Sequence, residues 1–327
     1  MYIARPLAHR HCLTLTPTAP FNFDASLHKP DHFPSADNAW QPGVRWQTML
    51  WQGKALGLKF EDQGSLDRPQ ILLSIWSDEI LEPAYLEGLC AEINYRYSFQ
   101  LDLAEFNRRF EADPCLGPVV ARWRGMRPLN YSSLYEYLMI AIVLQNATVR
   151  RSVQMMQILL ERYGALYSYD GREFYAHWPP EAIHQATEQE LRLLKVGYRA
   201  KSIKRVTEAF VNRSIDEFAL RQQPIEEQRR ALLSLYGIGP ASVGYLLGSI
   251  FHHLDEMEHI SPWEQKIYTK IFFDRDPEDP ASVADLLAYF KTHYAGYRDL
   301  AVHYFWEDLF WRRKNQPVDW LEKLIRL

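Results

Sequence analysis

Two spacings of apolar residues divide the chain. Up to about position 97 they come in short β-rich runs, Val44–Trp51, Ala55–Phe60 and Gln70–Trp76, separated by clusters of Pro, Gly, Asn and Asp. Short runs bounded by turn formers suit antiparallel strands, so the stretch from Arg5 to Tyr97 is predicted to form a sheet. Beyond Leu101 the period lengthens. Leu134, Leu138, Ala141, Ile142 and Gln145 recur at intervals of three and four, as do Val149, Val153, Met156 and Leu160. That spacing lines one face of a helix. The remainder is predicted to be almost entirely helical, with breaks at Gly164, Pro179–Pro180, Pro224, Gly237–Pro240, Pro262, Pro277–Pro280 and Gly296. The expected fold class is α+β, an N-terminal antiparallel β-sheet domain over 1–112 followed by an all-helical domain over 113–327.

Composition narrows the function classes. The 327 residues are 47% hydrophobic and 24% charged, enough apolar material for two closely packed domains. No run approaches the roughly eighteen apolar residues of a membrane span, and Met1 to Thr16 lacks an apolar signal core, so a cytoplasmic, nucleoid-associated location is expected. Cys12, Cys90 and Cys115 fit reduced thiols and cannot form a four-thiolate metal or cluster site. A net charge of −4 weighs against a nucleic-acid partner unless cations cluster locally. Three clusters do: Arg122, Arg124 and Arg127; Arg150 and Arg151; Arg199, Lys201, Lys204 and Arg205. Any one of them also reads as a solvated helix face.

The most informative stretch is Glu227–Ile250, an amphipathic helix, a Gly-Ile-Gly turn and a second helix beginning near Pro240–Ala241, with the hairpin placed at 229–250. Gly237 and Gly239 allow unusual dihedrals and close approach of another surface, and Pro240 suits a first helical position. The free amides at that helix start, in the segment Gly237, Ile238, Gly239, Ala241 and Ser242, form an anion site suited to one DNA phosphate and blind to base sequence. The bland reading is a compact helix–helix turn that only packs helices.

These residues resemble the helix-hairpin-helix of the DNA glycosylase superfamily, in its 3-methyladenine DNA glycosylase II and 8-oxoguanine DNA glycosylase branch. Similar segments follow in order: Pro20–Leu27, like an opening strand; Asp113–Pro118 with Arg124–Pro128, like the link into the helical domain; Tyr131–Glu136 and Ala141–Thr148, like the helix carrying the residue that plugs the DNA stack; Leu194–Ala200; and Tyr297–Ala301, like the last helix. The resemblance implies a monofunctional DNA glycosylase of base-excision repair, a monomer that extrudes and hydrolytically removes a damaged, most often alkylated, purine from double-stranded DNA. Asn146, with Gln145 beside it, aligns with the plug.

Loss of the base generates positive charge on the sugar, so a buried carboxylate is needed beside the anomeric carbon. The family places an Asp at the start of the helix after the hairpin unit, and this chain has none there. Two registers are open. One puts Ser261 at that position and leaves no catalytic carboxylate; the other puts Glu264 there, with Pro262, Ile267 and Ile271 in frame and about three extra residues in His252–Ile260. The second is preferred, making Glu264 the expected catalytic residue against a bland role as a first-turn helix carboxylate. Asp255, Glu256 and Glu258 are weaker candidates. Family members that also nick the strand carry a Lys two residues past the second glycine; here that position is Ala241, so no lyase step is expected. Trp263, Tyr198, Tyr297 and Tyr304 are the expected base-pocket aromatics, while Phe305 and Trp306 are expected in the core. His252, His253 and Asp255 lack convincing metal spacing, and no cofactor is expected beyond a structural monovalent cation at the hairpin. The alternatives are a catalytically inert DNA-damage-binding protein of the same fold and an unrelated helical protein.

Overall fold

A computed structural model describes residues 3–28, 34–128 and 130–324. A five-stranded sheet holds β2 (His9–Leu15), β3 (Asn38–Gln41), β4 (Val44–Trp51), β5 (Lys54–Asp62) and β6 (Ile71–Ser77) in the order β2-β6-β5-β4-β3. All its pairings are antiparallel, with Thr48 opposite Gly57 and Phe60 opposite Leu73. Strands β4 to β6 are largely buried on both faces because both faces are covered, with Arg45, Gln47 and Thr48 the buried polar residues of β4. Met49, Leu56, Leu58 and Phe60 pack with Phe23 and Leu27 of α1 (Phe23–Leu27) and with Leu89 and Ile93 of α2 (Pro83–Arg96). On the other face Trp46 and Trp76 meet Tyr169 and Phe174.

Three sequence expectations are corrected here. Phe23–Leu27 is a helix, not an opening strand, because the Asn22 side chain accepts the Ala25 amide and caps it. The sheet region also contains the helix α2, begun by Pro83 at a first helical position. The C-terminal part is not all helix, since β7 (Ala165–Tyr169) and β8 (Arg172–Ala176) form a hairpin around Asp170 (φ 49°) and Gly171 (φ 70°). A short strand β1 (Arg5–Pro6) pairs with β7 in parallel.

The other helices are α3 (Ala104–Phe110), α4 (Gly117–Arg122), α5 (Leu134–Leu144), α6 (Val149–Tyr163), α7 (Pro180–His184), α8 (Glu188–Leu191), α9 (Arg199–Val211), α10 (Glu217–Leu220), α11 (Ile225–Leu233), α12 (Pro240–Phe251), α13 (Pro262–Phe273), α14 (Val283–His293), α15 (Arg298–Asn315) and α16 (Asp319–Leu324). They bury two separate cores. One joins α5, α6, α9, α11 and α12 through Leu138, Ile142, Leu159, Ile203 and Leu246. The other joins α3, α4 and α13 to α16 through Phe106, Ile267, Phe290 and Leu300. Each buried Leu or Ile contributes about 1.5–3 kcal/mol, so both cores hold firmly. The loop 252–261, between α12 and α13, crosses the seam between them.

Candidate functional site

The hairpin sits on the first core. Leu232, Leu235, Ile238 and Val243 are buried and fix the angle between α11 and α12. Gly237 has φ +81°, and a Cβ there would lie 2.4 Å from the Ser202 hydroxyl oxygen, so the fold itself requires glycine. Gly239 differs. Its φ of −105° suits any residue, and a Cβ there would meet nothing within 4 Å. Among the described residues nothing asks for glycine at 239, and the space in front of it is free for an outside surface. Pro240 opens α12 and no side chain caps that end, so the first-turn amides, Ala241 and Ser242 among them, are left for an external acceptor.

Beside the hairpin lies the turn between α5 and α6. Ser133 and Glu136 cap the start of α5 reciprocally, the Ser133 amide donating to Glu136 Oε2 at 2.6 Å. At its far end Asn146 takes φ +48°, a left-handed conformation that Asn tolerates. Gln145 Nε2 donates to the Gly237 carbonyl at 2.7 Å, and Asn146 Nδ2 to the Tyr198 hydroxyl at 3.2 Å. Arg199 Nη2 donates to the Gln145 carbonyl. The structure therefore brings Gln145, Asn146, Tyr198 and Gly237 onto one surface. Tyr198 stands at this turn, its ring half exposed.

Charge separates the basic clusters. Arg122 is paired with Asp308, Arg124 with Asp67, Arg127 is buried, and Lys204 and Arg205 face Glu208. By contrast, among the described residues Arg150, Arg151, Lys195 and Lys201 have no ion pair, and Lys201 lies over the ring of the exposed Tyr236 at 4.8 Å. These unpaired cations flank the Gln145–Asn146 turn and the hairpin.

Glu264 lies at the N-terminus of α13 and is 5% exposed. Its Oε2 accepts both the Ser261 amide, at 2.9 Å, and the Ser261 hydroxyl, at 2.6 Å; its Oε1 accepts the hydroxyl of Tyr245, on α12, at 3.0 Å. Ser261 is the residue that caps α13 and Glu264 stands three positions on, so the two registers read from the sequence meet in one hydrogen-bonded unit. The carboxylate spans the seam between the two helical cores. Burial, then the neighbouring carboxylate, drives the Tyr245 pKa far above its ordinary value, so the phenol stays a donor.

The aromatic surroundings differ from the sequence expectation. Trp263 is exposed and meets the half-buried Trp306 at 4.7 Å between ring centres; Trp306 Nε1 donates at 2.9 Å to Tyr268, whose pKa is raised by burial and then by Glu264. Trp306 is thus not simply core. Tyr304 is, being fully buried with its hydroxyl donating to the Met126 carbonyl at 2.9 Å. Tyr297 packs edge-on against Phe106 and Phe110. Tyr304, on α15, is thus not free to line an open pocket, whereas Tyr297, just before α15, is only partly buried. Tyr245 and Tyr268 were missed; Tyr245 was legible as the exposed aromatic one and a half turns into the helix that follows the glycines.

Asp255, Glu256 and Glu258 fasten the loop 252–261. Asp255 pairs with Arg298 at 2.7 Å, and Arg229 reaches Glu256 and Glu258 at 3.0 Å each. The Glu256 amide donates to Asp299, whose pKa burial raises to about 6. Among the described residues no group of three or more His, Cys, Asp or Glu is placed to hold a metal ion, and no helix is long and apolar enough to cross a membrane.

No family model matches the chain. Over 162 residues it is 20% identical to the DNA-3-methyladenine glycosylase of Bacillus subtilis, covering 49% of this chain and 54% of that protein. Over 169 residues it is 30% identical to an N-glycosylase/DNA lyase of Arabidopsis thaliana, covering 50% of this chain and 44% of that one. The chain thus spans about half the length of the curated relatives it matches. Among solved structures, the 3-methyladenine DNA glycosylase of Archaeoglobus fulgidus superposes with a TM-score of 0.73 at 17% identity, over 91% of this chain and 99% of that one. The 8-oxoguanine glycosylase/lyase of Clostridium acetobutylicum, solved with double-stranded DNA, gives 0.67 at 17% identity, over 91% and 93%. The chain therefore has the same fold as these two DNA glycosylases.

Proposed function

We propose that this protein is a DNA glycosylase of base-excision repair that extrudes a damaged purine from duplex DNA and hydrolyses its N-glycosidic bond. The observation that carries this reading is the placement of Glu264. It is a buried carboxylate linked through Tyr245 to α12, the helix whose free first turn suits a phosphate. Tyr245 lies five residues into α12, about 7–8 Å along its axis from Pro240. A phosphate held at that end brings its nucleotide within reach of the acid. As the base departs, the sugar acquires positive charge, and a fixed carboxylate in a partly dry site stabilises it and orients the attacking water.

Asn146 and Tyr198, joined on the surface beside the hairpin, are the groups suited to filling the gap left by the extruded base. The exposed faces of Trp263 and Tyr245 suit stacking with an electron-poor, alkylated purine. Ala241 offers no amine for a Schiff base, so the product is an abasic site in an intact strand. No cofactor enters the chemistry; a monovalent cation at the hairpin carbonyls would be structural. A chain that acts alone on one lesion needs no second copy, so the working unit is a monomer.

One observation favours an inert damage-binding protein instead: both oxygens of Glu264 are already engaged within the chain. Base release from duplexes carrying 3-methyladenine, 7-methylguanine, hypoxanthine, 8-oxoguanine or uracil separates the two. Release of a purine with alkali-labile but unbroken strands supports the glycosylase. Tight binding with no release of any base supports the inert reading.

A further inference from the structure

We propose that Tyr245 is a positioning residue for the Glu264 carboxylate, an inference that rests on Glu264 being the acid of the reaction proposed above. A glutamate is longer than an N-cap side chain and has an additional rotatable bond, so an unrestrained Glu264 would wander over the helix end. Two contacts remove that freedom. Ser261 holds Oε2 through its amide and its hydroxyl, folding the side chain back onto the cap of α13. Tyr245 holds Oε1 from the opposite helix, across the seam between the two cores. The Ser261 contacts alone fix one oxygen and leave the carboxylate plane free to turn about it; the Tyr245 hydroxyl fixes the second oxygen and so the plane.

Tyr245 as a residue is 53% exposed even though its hydroxyl donates to Glu264, a residue that is 5% exposed. A side chain kept only for packing would turn its ring inward. This one presents its polar end inward and its face outward, so it can register a stacked base and the acid together. Its position on α12 also ties the acid to the same rigid helix that begins at the hairpin.

The test compares wild type, Tyr245→Phe, Glu264→Gln and the double variant, full-length, in single-turnover base release from methylated duplex DNA. Duplex affinity and thermal unfolding are measured in parallel. Tyr245→Phe keeps the ring and removes only the hydroxyl. It is expected to slow release about 10–100-fold with duplex affinity and melting temperature unchanged. The double variant is expected to be no slower than Glu264→Gln alone, because both remove one unit. Wild-type release by Tyr245→Phe while Glu264→Gln is inactive overturns the positioning role and leaves the glycosylase reading intact. Losses that multiply in the double variant also overturn it, since Tyr245 would then act apart from Glu264. Undiminished release by Glu264→Gln removes the reading itself, and this proposal with it.

Discussion

At the hairpin, Gly237 is tied to the fold by its positive φ and by Ser202, whereas Gly239 has an ordinary φ and open space where a Cβ would stand. The two glycines therefore fail differently. Gly237→Ala is expected to destabilise the chain by about 1–3 kcal/mol, read as a lower unfolding midpoint. Gly239→Ala is expected to leave that midpoint within about 0.5 kcal/mol and to weaken duplex binding. Equal stability losses at both positions would contradict this division. Asp299 gives a pH-dependent case. Burial lifts its folded pKa to about 6 from 3.8, so it favours folding below pH 4 and loses that contribution as pH rises through 6. Asp299→Asn keeps an acceptor for the Glu256 amide without the charge. Its stability relative to wild type is expected to improve by about 1–3 kcal/mol between pH 4 and pH 8; a difference that does not vary with pH would argue that Asp299 is not a penalised ion.

The elements show what the chain discloses locally and what it hides. Strands β4 to β6 and helices α5, α6, α11 and α12 are legible because period and breakers agree with the final packing. The β7–β8 hairpin carried its own signal, Asp170-Gly171 between alternating residues, but the surrounding helical period masked it. Helix α2 was hidden among strand signals because its apolar face is covered by the sheet rather than by another helix. At α13 the sequence leaves two registers for the acid, and only the hydrogen bonds show Ser261 and Glu264 sharing one place. The partner Tyr245 lies nineteen residues away, on another helix, which no local pattern can convey. A carboxylate supplied from the helix cap should therefore substitute for one supplied from the third position. Ser261→Asp is expected to restore part of the base release lost in Glu264→Gln, at least tenfold above the single variant. A doubly substituted protein that folds, binds DNA and is no faster would show that the two positions are not interchangeable.

For the whole molecule, a net charge of −4 coexists with a surface where Arg150, Arg151, Lys195 and Lys201 have no ion pair among the described residues and lie around the hairpin. Other arginines are taken up in pairs such as Glu92 with Arg96 and Arg221 or Asp308 with Arg122. Duplex affinity should consequently fall steeply with salt despite the negative total. Replacing Arg150 and Lys201 by Ala together is expected to reduce the slope of log affinity against log salt by about 1.8; an unchanged slope would place the DNA on another face. The central claim is that Glu264 acts on the sugar of an extruded purine. It is tested most directly by single-turnover base release from methylated duplex DNA under saturating protein, comparing wild type with Glu264→Gln and measuring duplex binding in the same samples. The expected result is release of a methylated purine by wild type, at least a hundredfold slower release by Glu264→Gln, and equal binding by both. Equal release by both proteins, or binding without release by wild type, would contradict it.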